Sequence, residues 1–351
     1  MRLATKTHDG KQGEVDQFSH RVNSIRTFRP SSTWVAEAAG PRRQVVTTMI
    51  EHPGTAEPCA WLERHGWRVT CASVDSNGVT RIDDVRAALS ADTALVTVMH
   101  SNSETGVLQP VAEIAELAKT NGAVIHTDAA QSIGKVPVNV RELGVDLLSL
   151  AGHKVNAPKG VGALHVRRGT RLFTLTVGAG HERGLRPGTE NVAAIVGLGA
   201  ALERVASDLE LAAVRLQDLR VALWKGLRAR IPGLVLNGHP DLRLPNTLNV
   251  QVPGTSARSL LQAVPEIAAS AGSACHAGED LTSRVLTTMG IAPDDAIRSI
   301  RLTVGRHTTK DEILYATEAL ARAWATTHQS RMRQPLILLH RRVKGRETRR
   351  W

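Results

Sequence analysis

The sequence predicts an α/β protein, with a large domain on a mostly parallel sheet followed by a smaller α+β domain. Three observations lead there. From residue 44, short β-branched runs alternate with amphipathic stretches, the pattern of helices crossing over a parallel sheet covered on both faces. A stretch from 192 to 231 keeps helical spacing almost throughout and leads into shorter elements of mixed order. Finally, 351 residues exceed what one small core needs, and a hydrophobic fraction of 42% supports a folded chain over disorder.

The elements follow in order. QVVTTMI (44–50) reads as a buried strand and PGTAEPCAWLERHG (53–66) as a helix with its caps. WRVTCASV (67–74) is the next strand, with a helix near RIDDVRAAL. ALVTVMH (94–100) is a strand, and VAEIAELAKTNG a helix closed by Gly122 in a C-terminal cap position. AVIHTDAA, VDLLSLAG and VGALHVRR complete the apolar strands. After one long helix over 192–231, LVLNGH and NTLNVQV read as strands, SLLQAVPEI as a helix and SIRLTVG as a strand. TKDEILYATEALARAWAT reads as the final helix. Residues 1–43 give no coherent period and stay unassigned.

The net charge of +11 sits at the ends. Residues 1–43 hold eight Lys/Arg against four Asp/Glu, and 331–351 hold eight against Glu347 alone, so the middle nets zero. A run such as RRVKGRETRR suits a solvated tail, and no finger or recognition-helix signature points to specific nucleic-acid binding. No apolar run reaches the roughly 18 residues of a membrane-spanning helix, and MRLATKTHDGKQGEVDQFSH has no signal-peptide core. Cys59, Cys71 and Cys275 lack metal-ligand or disulfide spacing, so a reducing cytoplasm is the expected compartment.

Chemistry concentrates at strand ends, where open α/β sheets bind ligands. In AGHKVNAPKGVGALHV (151–166), Lys154 follows His153 ahead of a Pro/Gly-rich turn. It suits either a Schiff base with an aldehyde cofactor or a solvated cation. Asp128 in HTDAAQ suits a protonated pyridinium nitrogen or a helix N-cap, and Gln131 a phenolate oxygen or a turn cap. Asn102 in VMHSNSETG suits a ring-oxygen contact or an Asx-turn. His52 in TTMIEHPG can stack on a flat ring and carry protons, or sit as a satisfied polar residue. Cys275, in the glycine-rich ASAGSACHAGED beside His276, is expected to be a reachable thiol on a mobile segment. Arg301 in SIRLTVGRHTT can clamp a carboxylate or join a surface ion pair, and VGAGHERGLRPGTEN (177–191) suits an anion.

Five segments, HTDAAQSIGKVPVNV, GVDLLSLAGHKVNAPKGVGAL, GHERGLRPGTEN, GSACHAG and SIRLTVGRHTT, together resemble the cysteine desulfurases from about 44 to 325. These are pyridoxal 5'-phosphate enzymes of the class V aminotransferase fold. The resemblance implies a PLP-dependent transferase fold of type I, aspartate aminotransferase-like, with the cofactor domain over 44–231. A small domain over 232–330 would carry the catalytic-cysteine loop, and 331–351 would form a disordered basic tail. It further implies Lys154 as the Schiff-base lysine, Asp128 as the pyridinium partner and His52 as the stacking residue. Gln131 and Asn102 would contact the ring oxygen, and His153 the phosphate. Arg301 would anchor the substrate carboxylate, with Cys275 the persulfide-forming nucleophile. Thr189 would reach the other subunit's phosphate in a homodimer. The implied reaction turns L-cysteine into L-alanine and passes sulfur to an acceptor, an iron–sulfur scaffold, a tRNA-modifying protein or a free thiol. Selenocysteine lyase acting on L-selenocysteine, a catalytically impaired relative and an aminotransferase are the alternatives. In two places the chain departs from the family pattern. Residues 1–43 hold nothing like the glycine–threonine phosphate loop, PSSTWVAEAAG being nearest, and Ala151 stands where serine is common.

Overall fold

The computed structural model describes residues 22–23, 40–173, 178–271 and 282–343, with side chains described only between 40 and 328. The larger layer contains β1 (Val22–Asn23), β2 (Gln44–Thr48), α1 (Pro53–Arg64), β3 (Arg68–Ala72) and α2 (Ile82–Ala88). Then come β4 (Thr93–Thr97), α3 (Val111–Thr120), β5 (Val124–Asp128), β6 (Leu147–Ala151) and β7 (Gly162–Val166). Seven strands pair in the order β1-β7-β6-β5-β4-β2-β3. Those from β3 to β6 run parallel, while β7 and β1 are antiparallel. Alternation of side chains along these strands fills two cores. Val46, Val96, Ile125 and Leu148 pack with Ile114 of α3, whereas Val45, Leu95 and Leu147 pack with Leu62 of α1. Two-sided burial is why the strands read as near-continuous apolar runs.

The single helix expected over 192–231 is two, α4 (Val192–Ser207) and α5 (Leu209–Arg230). Asp208 breaks the line with a φ of −133°. Its carboxylate accepts from Arg306 Nη1 at 2.9 Å and Nη2 at 2.7 Å. A two-pronged charged pair to a distant element outweighs the cost of one interrupted turn.

The smaller layer follows, with β8 (Val235–Leu236), β9 (Thr247–Gln251), α6 (Ala257–Gln262), β10 (Ser270–Ala271) and α7 (Arg284–Thr288). It closes with α8 (Pro293–Ala296), β11 (Ser299–Thr303) and α9 (Lys310–Val343). Its antiparallel sheet has the order β10-β11-β9-β8. Leu216, Leu219, Leu223 and Leu227 of α5 join Val250, Ile300 and Leu320 in one core. That core therefore begins upstream of the boundary at 231 read from the sequence. The last helix runs on to Val343, past 330, where the sequence reading places a tail.

Candidate active site

The ends of β2, β4, β5 and β6 bring the functional side chains together. After β6 a 3-10 turn, Gly152–Val155, presents His153 and Lys154, both exposed, and closes on Asn156 in a left-handed conformation at φ 61°. Asparagine tolerates that region better than most residues, and such a strained cap fixes how the lysine leaves the strand. Gly152 is required by packing. A Cβ there would lie 2.8 Å from the Val161 carbonyl oxygen, because the chain turns straight back into β7.

Asp128 ends β5, only 8% exposed. One carboxylate oxygen accepts from the Ala130 amide at 2.9 Å, and no other described residue donates to the carboxylate. Burial raises its pKa, opposed by the Ala130 hydrogen bond and by the charges of His52 and Lys154. His52 follows β2 as the N-cap of α1, its Nδ1 accepting from the Gly54 amide at 2.9 Å. That bond leaves the ring proton on Nε2 and sets the ring's orientation. Although His153 is exposed, partial desolvation leads in lowering its pKa, followed by the charges of Lys154, His52 and Lys159, which favours the neutral ring.

A cavity of about 650 Å³ opens beside these strand ends. Gln131, His153 and Lys154 line it from the large layer, and Arg301 from β11. Lys135, Arg215 and Arg306 also line it, with Asp208 the single acid among the described lining residues, so the described lining is cationic and suited to anions. Lys135 donates to the Lys154 carbonyl at 3.4 Å, and burial together with the Lys154 charge lowers its pKa to about 8.

Of the residues singled out in the sequence, four therefore share the cavity wall, and His52 and Lys154 both act electrostatically on Asp128. Asn102 takes the Asx-turn alternative. It is 1% exposed, its Oδ1 accepts from the Glu104 and Thr105 amides at 2.8 and 2.9 Å, and its Nδ2 donates to the Ile50 carbonyl at 3.2 Å. Thr189 is exposed and outside the cavity wall. Cys275 lies outside the described residues, as does PSSTWVAEAA of the nearest phosphate-loop candidate, PSSTWVAEAAG.

Sequence reasoning passed over Glu51, Ser103, Glu104 and Lys135. Glu51 adjoins His52, and Lys135 sits within the same QSIGK run as Gln131, so proximity to a strand end was the available signal. Glu51 is buried. One oxygen accepts from the Thr48 hydroxyl at 2.7 Å and the Met99 amide at 2.8 Å, while its Oε2 has no partner among the described residues.

Comparisons with known proteins agree with this geometry. Residues 31–315 match the family described as Aminotransferase class-V, beginning upstream of the 44 at which the resemblance was read. The chain is 42% identical over 274 residues to a cysteine desulfurase of Nostoc sp., covering 78% of this chain and 68% of that one. A solved NifS-like protein superposes with a TM-score of 0.79 at 32% identity, covering 86% of this chain and 81% of the other. A structure described as SspA in complex with cysteine gives 0.69 at 30% identity, covering 82% and 80%. No helix among the described residues is long and apolar enough to cross a membrane. By its strand-end site and these matches, the chain belongs to the class-V aminotransferase family, among the cysteine desulfurases.

Proposed function

We propose that this chain uses pyridoxal phosphate to convert L-cysteine to L-alanine, leaving a persulfide on Cys275 whose sulfur passes to an acceptor. The observation that carries the reading is the gathering of Lys154, Asp128 and Arg301 at the strand ends and cavity wall. The residues fit the cofactor. Asp128 keeps a carboxylate oxygen without a described partner at the end of β5, and the cavity beside it is lined by cations. A matched relative solved with cysteine adds support from the substrate side.

Lys154 would hold the aldehyde and Asp128 the ring-nitrogen proton, while His153 and Gln131 would contact the phosphate and the ring oxygen. When bound, the cofactor supplies an electron sink for the substrate Cα. Arg301 would bind the α-carboxylate, its Nη1 anchored on the Ser103 carbonyl at 2.9 Å. Lys154 would take the Cα proton and finally return it to Cα, while His52 Nε2 would carry to Cβ the proton given up by the Cys275 thiol. The Cys275 thiolate would attack the substrate sulfur, so that the carbon–sulfur bond breaks as the sulfur–sulfur bond forms. Asn102 would act through the turn it organises. Exposed Thr189 suits contact with a second copy's phosphate in a homodimer. The compartment consistent with a thiol nucleophile is the cytoplasm.

The test is alanine formation from L-cysteine by protein supplied with pyridoxal phosphate, with visible absorbance recorded alongside. Turnover lost in Cys275→Ala with the absorbance retained, and both lost in Lys154→Ala, is the expected result. Undiminished alanine formation by Lys154→Ala sinks the reading. A run with L-selenocysteine separates the lyase alternative.

A further inference from the structure

Between β4 and α3 the chain makes a tight turn over 102–106. Four successive carbonyls of this turn face the small layer, and each accepts a hydrogen bond from it. Ser103 O takes Arg301 Nη1 at 2.9 Å, Glu104 O takes Asn249 Nδ2 at 3.1 Å, and Thr105 O takes Arg243 Nη2 at 2.6 Å. Gly106 O takes the Leu244 amide at 2.8 Å. Asn249 and Arg301 are direct cross-strand partners on β9 and β11, so their side chains share one face of the small sheet. At Gly106, with φ +79°, a Cβ would meet Thr247 Cβ at 2.9 Å, which keeps the turn seated against β9.

The Glu104 side chain is the one element of this seat that carries charge from the large layer. It is 7% exposed, and its Oε2 accepts from the Ser283 hydroxyl at 2.5 Å. Ser283 also caps α7 through the Leu286 amide at 3.1 Å. Arg301 is the cation acting on the Glu104 carboxyl, while burial opposes its ionisation. Arg301 donates to Ser103 through one nitrogen, and both Ser103 and Arg301 border the cavity that Lys154 enters.

We propose that Glu104 is a positioning residue, holding the Arg301 guanidinium in the orientation that binds a substrate α-carboxylate. The inference rests on the reading of Arg301 as the carboxylate anchor. A buried carboxylate fixed by Ser283 cannot follow the guanidinium, so it sets a standing field that favours one orientation of it. The Ser103 carbonyl holds Nη1, and the rest of the guanidinium has no hydrogen bond to another described residue and faces the cavity as a site for an anion. Glu104 itself does not touch substrate.

The experiment compares two ligands on the cofactor-loaded protein, L-cysteine and cysteamine, which has the same thiol and amine but no carboxylate. Binding is read from the change in the cofactor's visible absorbance, alongside KM and kcat for L-cysteine. Glu104→Gln should weaken L-cysteine about tenfold, ~1.4 kcal/mol, mainly in KM, and leave cysteamine within about twofold. Arg301→Lys should show the same selectivity, and the double variant should be no worse than Arg301→Lys alone. Ser283→Ala, which frees the carboxylate without removing it, should move L-cysteine in the same direction by less. Equal losses for both ligands in Glu104→Gln, or losses that add fully to Arg301→Lys, overturn the proposal. Should Arg301→Lys keep full discrimination between the ligands, the Arg301 reading falls first and the proposal with it.

Discussion

Glu51 makes the structure testable without substrate or cofactor. Its carboxyl is buried, with Oε1 tying Thr48 at the end of β2 to Met99 beyond β4, and with Oε2 unpartnered among the described residues. Burial pushes its pKa from 4.5 up to about 8, with the Asp128 charge adding in the same direction. A carboxyl whose folded value is raised binds its proton more tightly when folded. Its stabilising contribution is therefore full below pH 4.5 and is lost as pH rises toward 8. At about 1.4 kcal/mol per unit the whole interval is worth on the order of 5 kcal/mol, and the part between pH 5 and 8 about 3 to 4. That is a large share of a typical folding free energy of about 5–15 kcal/mol.

Glu51→Gln keeps an oxygen to accept from Thr48 and Met99 and removes the titration. Urea unfolding of both proteins at pH 5 and pH 8 is the assay. The wild-type protein should lose about 3 to 4 kcal/mol more over this interval than the variant. Burial also raises the pKa values of Asp128 and Glu104, but both groups are the same in the two proteins, so the comparison isolates Glu51. Parallel slopes in the two proteins would show that Glu51 ionises alike in both states, and the reasoning from its burial would be wrong.

Two other substitutions probe the scaffold. Gly152→Ala forces a methyl to within 2.8 Å of the Val161 carbonyl oxygen and 2.9 Å of Val161 Cγ1. It should cost roughly 1–3 kcal/mol in denaturant unfolding and weaken cofactor retention by moving Lys154, so an unchanged midpoint contradicts the packing argument. Asp208→Ala removes the carboxylate that Arg306 grips, and that hydrogen bond leads the causes holding the Asp208 pKa below 3.8. The stabilisation is present above pH 3.8 and fades as pH falls through the lowered value. Melting temperatures of wild type and variant should differ at neutral pH and converge in acid, whereas a constant gap would assign the effect to helix continuity alone.

How much of this molecule can be read from its sequence depends on how far apart the interacting residues lie. Strands β2, β4 and β5 are legible because both their faces are buried. Residues such as Val45 and Val46, or Leu95 and Val96, point to opposite cores and print as unbroken apolar runs. Lys154, Asp128 and His52 are legible for a related reason. Each is a polar residue directly after such a run, where a parallel sheet opens onto its crevice. The break at Asp208 is not legible, since helical spacing continues through it and the partner that favours it, Arg306, lies 98 residues onward.

The same logic separates the two halves of the site. The lysine side is local, with the turn, its left-handed cap at Asn156 and its close-packed Gly152 all lying within the AGHKVNAPKG run. The carboxylate side is assembled across the fold. Arg301 meets Ser103 over a separation of 198 residues, Asn249 meets Glu104 over 145, and Ser283 meets Glu104 over 179. A motif can therefore name the lysine and the arginine, but only the folded chain brings Glu104 to Ser283 and within the field of Arg301. Residues that react are confined by chemistry to a few types at recognisable places, whereas residues that aim them need only be nearby in space. For this protein, substrate affinity should accordingly respond to the 102–106 turn at least as sharply as to the more recognisable HERGLRPGTEN stretch.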